Sequence, residues 1–270
     1  MSRSERIRET RDGGVVTLHF ADPDRLNAMT REMGEAFRDR IAGLAADDSI
    51  RALVLTGEGR AFSAGGDLDM LQAKADQGAA APGVAWRAIR DEMASFYRLF
   101  LSLRDLACPT IAAINGHAIG AGLCVALGCD LRFVAREARL GLNFTRLGVH
   151  PGMAATWNLP RLVGPAVAAE LLYTSRLIDG EEAGRIGLAN RVLPAAEVLE
   201  AARATAAEIA ANAPLAVRAT KQALRRTESA SIEDQLQFEA SEQARHFESR
   251  DVHEGLAAIR EKRAPRFEGR

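Results

Sequence analysis

The feature that most narrows the possible folds is an alternation repeated along the first half of the chain: a short apolar run, turn residues, a stretch of helical periodicity, then the same again. The apolar runs are "VVTLHF" (15–20), "RALVLTG" (51–57), "PTIAAIN" (109–115) and "LRFVAREARLGL" (131–142). A run that is apolar on both faces belongs in a sheet covered on both sides, and strands alternating with helices make that sheet parallel. Between the runs, Thr30 is placed to cap a helix carrying Met33, Phe37, Ile41 and Leu44. Asp67 opens a second helix, and "LCVALGCD" (123–130) reads as a third. Residues 84–106 read as a longer helix whose Trp86, Ile89, Met93, Phe96, Phe100 and Leu103 pack into the core. Residues 72–83, "QAKADQGAAAPG", are small, polar and punctuated by Gly and Pro, and read as a mobile surface excursion, of a kind that often covers ligands, and not as a domain linker. After Leu162 the chain reads as almost wholly helical, from 165 to 227 and from 232 to 262, with apolar faces that need a partner surface.

Charge then limits the partners. The chain has 35 Lys and Arg against 36 Asp and Glu in 270 residues, so no bulk field recruits nucleic acid or an anionic membrane, and a phosphate-bearing ligand must be gripped locally. The N-terminal "MSRSERIRETRDGG" lacks the apolar stretch of a signal peptide or membrane span, which places the expected location in the cytoplasm. Cys108, Cys124 and Cys129 have neither disulfide nor zinc-site spacing and read as buried free thiols, so no metal is expected.

Two glycine turns follow apolar strands: "SAGGD" (63–67) and "GHAIGAG" (116–122). Neither is a phosphate loop, because the third glycine of GxGxxG is Val125 here and GxxxxGK[ST] is absent. No GxSxG elbow or HExxH is present, which removes the usual covalent hydrolase and zinc protease chemistries. Such turns either serve only to reverse the chain or aim backbone N–H groups outward at a strand end. Two preorganised donors of that kind stabilise a developing oxyanion by roughly 3 kcal/mol each when water is excluded.

The segments "RLNAM" (25–29), "GRAFSAGGDL" (59–68), "PTIAAINGHAIGAGL" (109–123), "CDLRFVAREARLGL" (129–142), "RLGVHPGMAATWNLPRLVG" (146–164) and "EGLAAIREKRAPRFEG" (254–269) together resemble the crotonase, or enoyl-CoA hydratase/isomerase, superfamily. The resemblance runs nearly end to end. It implies an α/β fold, a spiral of ββα units over residues 1–205 holding the thioester site, with a C-terminal helical trimerisation region over 206–270. It implies an acyl-CoA substrate, coenzyme A entering only as part of that substrate and no separate cofactor, and a homotrimer or dimer of trimers. Motif matching places the two oxyanion donors at Gly66 and Ala121. It places Arg25, Ala28, Ala64 and Asp67 along the substrate and CoA site, with Lys221 as a candidate phosphate contact.

The chain departs from the family's hydratases at their two glutamates, whose positions hold Cys124 and Phe144. The aspartate that other members carry further along the same loop is also missing, with Pro151 and Gly152 there, and between Glu137 and Glu170 there is no acidic residue at all. His150 is the one group of that loop with a pKa naturally near neutral, and so the candidate acid/base. His117, Asn143 and Thr145 are read as satisfying turn backbone. Three functions remain open: a hydratase/isomerase-type thioester enzyme with a displaced acid/base, a decarboxylase or related lyase in which loss of CO2 itself makes the enolate, and a non-catalytic acyl-CoA binder.

Overall fold

The computed structural model describes residues 3–270, so the first two residues of the charged N-terminal stretch lie outside the described residues. In chain order the strands are β1 (Ile7–Asp12), β2 (Val15–Phe20), β3 (Ala52–Gly57), β4 (Ala61–Ser63), β5 (Thr110–Ile114), β6 (His117–Ile119), β7 (Leu131–Ala135), β8 (Arg139–Gly141), β9 (Ile178–Asp179) and β10 (Arg191–Leu193). The helices are α1 (Arg31–Ala45), α2 (Leu68–Ala80), α3 (Trp86–Leu101), α4 (Ala121–Leu127), α5 (Ala155–Val163), α6 (Pro165–Thr174), α7 (Gly180–Arg185), α8 (Ala195–Ala210), α9 (Pro214–Arg226), α10 (Ile232–Phe247) and α11 (Arg250–Glu261).

The apolar runs form a six-stranded sheet of order β1-β2-β3-β5-β7-β10, parallel throughout except for β1 against β2. β2, β3 and β5 are buried along their whole length, as runs apolar on both faces must be. β1 carries Arg8, Glu9, Arg11 and Asp12 at the sheet edge, where charged side chains discourage further pairing. A smaller sheet has the order β4-β6-β8-β9. Three successive pairs, β3/β4, β5/β6 and β7/β8, each give their first strand to the large sheet and their second to the small one. The first two pairs lead directly into α2 and α4. This is a spiral of ββα units, and it stacks the turns that follow β4 and β6.

An aromatic cluster fills the space between the large sheet and α1 and α3. Phe20, Phe37, Phe62, Phe96 and Phe100 have neighbouring ring centroids between 5.4 and 6.4 Å apart. On the sheet's other face α8 crosses β2, β3, β5 and β7, and its fully buried Val198, Ala202 and Ala206 let helix and sheet approach closely. α8 runs unbroken across residue 205, where the sequence division between core and C-terminal region falls.

Several local expectations change. Residues 72–80 are helix and only 81–83 form a turn: α2 continues to Ala80, since Asp67 caps it and Ala, Gln, Lys and Leu dominate its length. It packs on α3, with Lys74 paired to Glu92. Trp86 faces solvent at 52 % exposure, between the guanidinium groups of Arg87 and Arg90. The turn at 116–122 contains β6, and the C-terminal half contains β9 and β10, strands of two or three residues that are too short to show a period. α10 and α11 leave Ile232, Leu236, Phe247, Leu256 and Ile259 exposed. Among the described residues no helix is long and apolar enough to cross a membrane.

Candidate active site

The turns after β4 and β6 meet at the first residues of α2 and α4. Met29 forms an isolated parallel bridge with Gly66, its N–H donating to Gly65 O at 2.7 Å and its carbonyl accepting from Asp67 N at 3.3 Å. Ala64 N donates to Leu26 O at 2.9 Å. The "RLNAM" stretch is therefore a strap on the glycine turn. Leu26 and Asn27 hold it there with φ of 53° and 55°, left-handed values that the surrounding hydrogen bonds must impose.

Asn27 is the centre of that strap. Fully buried, it accepts from Asp22 N at 2.9 Å through Oδ1 and donates through Nδ2 to the carbonyl oxygens of Glu58 and Ala61 at 2.9 Å each. Ser63 Oγ donates to Asn27 O at 2.8 Å and accepts from Gly65 N at 3.1 Å, which passes the constraint to the turn.

Glycine is required where the two turns touch. Gly65 has φ of +95°, and a Cβ there would lie 2.6 Å from Ile119 O and 3.5 Å from Ala121 N. A Cβ on Gly122 would lie 2.7 Å from Ser63 O. These contacts bring the residue before Gly66 against the start of α4. Among the described residues neither Gly66 N–H nor Ala121 N–H has an acceptor in the protein. Ala121 is the first residue of α4, so its N–H is one of those a helix leaves unbonded. The arrangement offers two adjacent, braced donors to an oxygen that gains negative charge.

The side chains at the expected acid/base positions have different chemistry. Cys124, one turn along α4, is fully buried, with Sγ 3.7 Å from Gly152 O, and burial pushes its thiol pKa up, so it stays protonated at neutral pH. Phe144 is half-buried and packed on the core. His150 is exposed, with Nδ1 2.8 Å from Pro151 O; a carbonyl only accepts, so Nδ1 is the protonated nitrogen. His117 accepts from Arg139 N of β8 at 3.1 Å and Thr145 donates to Leu172 O of α6 at 2.8 Å, so both bond backbone, but of a strand and a helix and not of a turn. Asn143 Oδ1 lies 3.1 Å from where a Cβ on Gly120 would stand.

The remaining candidates are spread around this centre. Asp67 caps α2 by accepting from Met70 N at 2.9 Å and pairs with the exposed Arg25. Ala28 is half-buried and Ala64 exposed beside the same turn. Lys221 lies elsewhere: it is buried, its ammonium 2.8 Å from Asp130 Oδ2 and donating to Cys108 O at 2.6 Å, so it has partners within the chain. Burial lowers its pKa and Asp130 opposes that shift.

The family model for enoyl-CoA hydratase/isomerase matches residues 10–270. The chain belongs to the enoyl-CoA hydratase/isomerase family. A protein of Thermus thermophilus named for enoyl-CoA hydratase activity is 38% identical over 255 residues, covering 94% of this chain and 98% of the relative. The 1,2-epoxyphenylacetyl-CoA isomerase of Escherichia coli is 34% identical over 258 residues, covering 95% and 96%. The crystal structure of an enoyl-CoA hydratase from Bacillus anthracis superposes with a TM-score of 0.89 at 32% identity, covering 98% of this chain and all of that one.

One residue of the site escapes the sequence patterns. Tyr97 lies between Phe96 and Phe100 on α3, where the apolar stripe draws attention to its neighbours. Its hydroxyl reaches Gly152: a Cβ there would lie 2.4 Å from Tyr97 Oη. No motif marks such a side chain, because it arrives from a helix distant in sequence.

Proposed function

We propose that this chain is an acyl-CoA thioester enzyme of the hydratase/isomerase type, and that Gly66 and Ala121 hold the thioester carbonyl while an enolate forms. The observation that carries this reading is the pair of unbonded N–H groups, one in the turn just before the cap of α2 and one on the first residue of α4, in turns that touch each other. Donors fixed before the reaction need no reorganisation when charge develops, so they favour the enolate over the neutral thioester. Arg25, Ala28 and Ala64, on the rim formed by the strap and the first turn, line the approach for coenzyme A. The exposed apolar faces of α10 and α11 are covered by further copies of the chain, as a trimer or a dimer of trimers, which light scattering tests by molecular mass.

A second reading is favoured by one observation: Cys124 and Phe144 put no carboxylate at the pocket, and His150 turns to its own loop. Loss of CO2 from a carboxylated acyl group makes the enolate without a base, and an apolar wall destabilises the carboxylate that leaves. A panel of saturated, unsaturated and carboxylated acyl-CoAs in deuterated water separates the two. Hydration, or exchange of α-hydrogens, supports the first reading. CO2 release confined to a carboxylated thioester supports the second. Saturable binding with neither outcome overturns both and leaves a binding protein. In the same assay, a loss of exchange in His150→Ala assigns the proton transfer to His150, and retained exchange assigns it to another group.

A further inference from the structure

We propose that Tyr97 is the proton donor of this site, its neutral phenol delivering a proton to the α-carbon of the thioester held by Gly66 and Ala121. The inference rests on the thioester reading above. Its evidence is separate, and comes from the contact of α3 with the loop at Gly152.

Tyr97 Oη occupies the space that a side chain at 152 would take, since a Cβ on Gly152 would come within 2.4 Å of it. Gly152 O is in turn 3.7 Å from Cys124 Sγ. Cys124 follows Ala121 by three residues on α4, an axial rise of about 4.5 Å, so Gly152 links the phenol to the helix whose first residue is the oxyanion donor. Among the described residues the hydroxyl has no hydrogen-bond partner in the protein, although the ring is half-buried and packed on the core. A phenol fixed by its ring, with its hydroxyl left to face a ligand, is a positioned proton source.

The surrounding groups support this role over that of a base. Burial, and after it the neighbouring Cys124, push the phenol pKa above its ordinary value, and Cys124 is the titratable group acting on it. On the elements around it, Asp67 caps α2 and pairs with Arg25, Asp91 pairs with Arg90, and Glu92 pairs with Lys74. Tyr97 is thus protonated at neutral pH, as a donor must be.

Written for hydration, the step balances. Water oxygen bonds to the β-carbon while the π pair moves through the thioester onto the carbonyl oxygen. The enolate then reforms the carbonyl, and the α-carbon takes the Tyr97 proton. The phenolate recovers the surplus proton of the added water, so the sum is one water added and the tyrosine unchanged. After decarboxylation the same transfer quenches the enolate, and the phenolate is reprotonated from solvent.

The test uses the full-length protein and the acyl-CoA panel. Tyr97→Phe removes only the hydroxyl, and we expect turnover to fall by about 10²-fold or more with KM nearly unchanged, the usual scale of a lost proton donor. The chain has two tyrosines, and Tyr173 is exposed, so biosynthetic 3,5-difluorotyrosine in a Tyr173→Phe background changes Tyr97 alone. It preserves the fold and lowers the phenol pKa, so the alkaline limb of kcat should move to lower pH. Tyr97→Phe turnover within about threefold of wild type, or an alkaline limb that fluorination leaves in place, overturns the proposal. A wild-type enzyme that binds thioesters and transforms none overturns the underlying reading with it; an active wild type with an active Tyr97→Phe overturns Tyr97 alone.

Discussion

The two walls of the site are built on different principles. The donor wall is backbone: Gly66 and Ala121 contribute N–H groups whose positions come from β4, β6, the strap at 25–29 and a few close glycine contacts. The other side of the site is side chain: Cys124 and Tyr97 come from two helices and meet at Gly152, and Phe144 and His150 belong to the loop that leads to it. A backbone N–H is common to nearly every residue type, so most substitutions leave the donor in place and only proline removes it, whereas a side chain changes with every substitution. Charge stabilisation and proton transfer can therefore diverge separately on one scaffold.

That contrast is tested most severely by Ala121→Pro. Proline is well accommodated at the first position of a helix, and Ala121 is that position of α4. The substitution deletes one N–H and leaves the helix in place, so turnover should drop about 10²- to 10³-fold, the scale seen for one lost oxyanion donor. Circular dichroism should stay unchanged. A fully active variant would mean that the carbonyl is held elsewhere.

Asn27→Ala addresses the scaffold behind the same wall. It leaves Asp22 N–H and the carbonyls of Glu58 and Ala61 without their partner in a buried place. An orphaned buried polar group costs about 1–3 kcal/mol, so a loss of about 3 kcal/mol in urea denaturation is expected, and the donors should lose their registration as well. A stability change below about 1 kcal/mol would show that the strap is not what braces the turn.

An acid limb of activity must be separated from acid unfolding, and His19 supplies the correction. Burial, helped by Arg8 and Arg203 and opposed by Glu58, lowers its pKa from 6.5 to about 4. Among the described residues its Nε2 is buried without a partner. A lowered histidine pKa means that the unfolded chain binds the proton more readily, so this contribution to stability is complete above pH 6.5 and is lost as pH falls toward 4. At pH 5 the loss is about 2 kcal/mol, read as the difference between denaturation curves at pH 7 and pH 5. His19→Gln should flatten that difference.

The large sheet was legible because β2, β3 and β5 are apolar on both faces, and the donor turns because glycine marks a close backbone approach. Thr30 and Asp67 announced α1 and α2 as caps. β4, β6, β9 and β10 were not legible, since two or three residues carry no period and exist only through their neighbours in the small and large sheets. The Gly and Pro near residue 80 outweighed the alanines before them, which concealed how far α2 runs. The resemblance pointed to Lys221 as a phosphate contact, but what surrounds a lysine is a tertiary fact: Asp130 reaches it from the loop before β7. Tyr97 was hidden in the same way, inside an aromatic stripe that reads as core.

The smallest expected effect closes the comparison. His150 is the sequence's natural choice of acid/base, yet its ring is exposed and its Nδ1 is bonded to Pro151 O at 2.8 Å. An exposed loop side chain held by one local hydrogen bond contributes little, so His150→Ala should change stability by no more than about 0.5 kcal/mol. With Tyr97 carrying the proton, its rate should stay within about twofold of wild type, and the activity profile should lack an ionisation near neutrality. A large loss in His150→Ala together with a near-neutral limb would move proton transfer from the helix-borne phenol to the loop. The side-chain wall would then be mobile in the catalytic step while the backbone wall stays fixed.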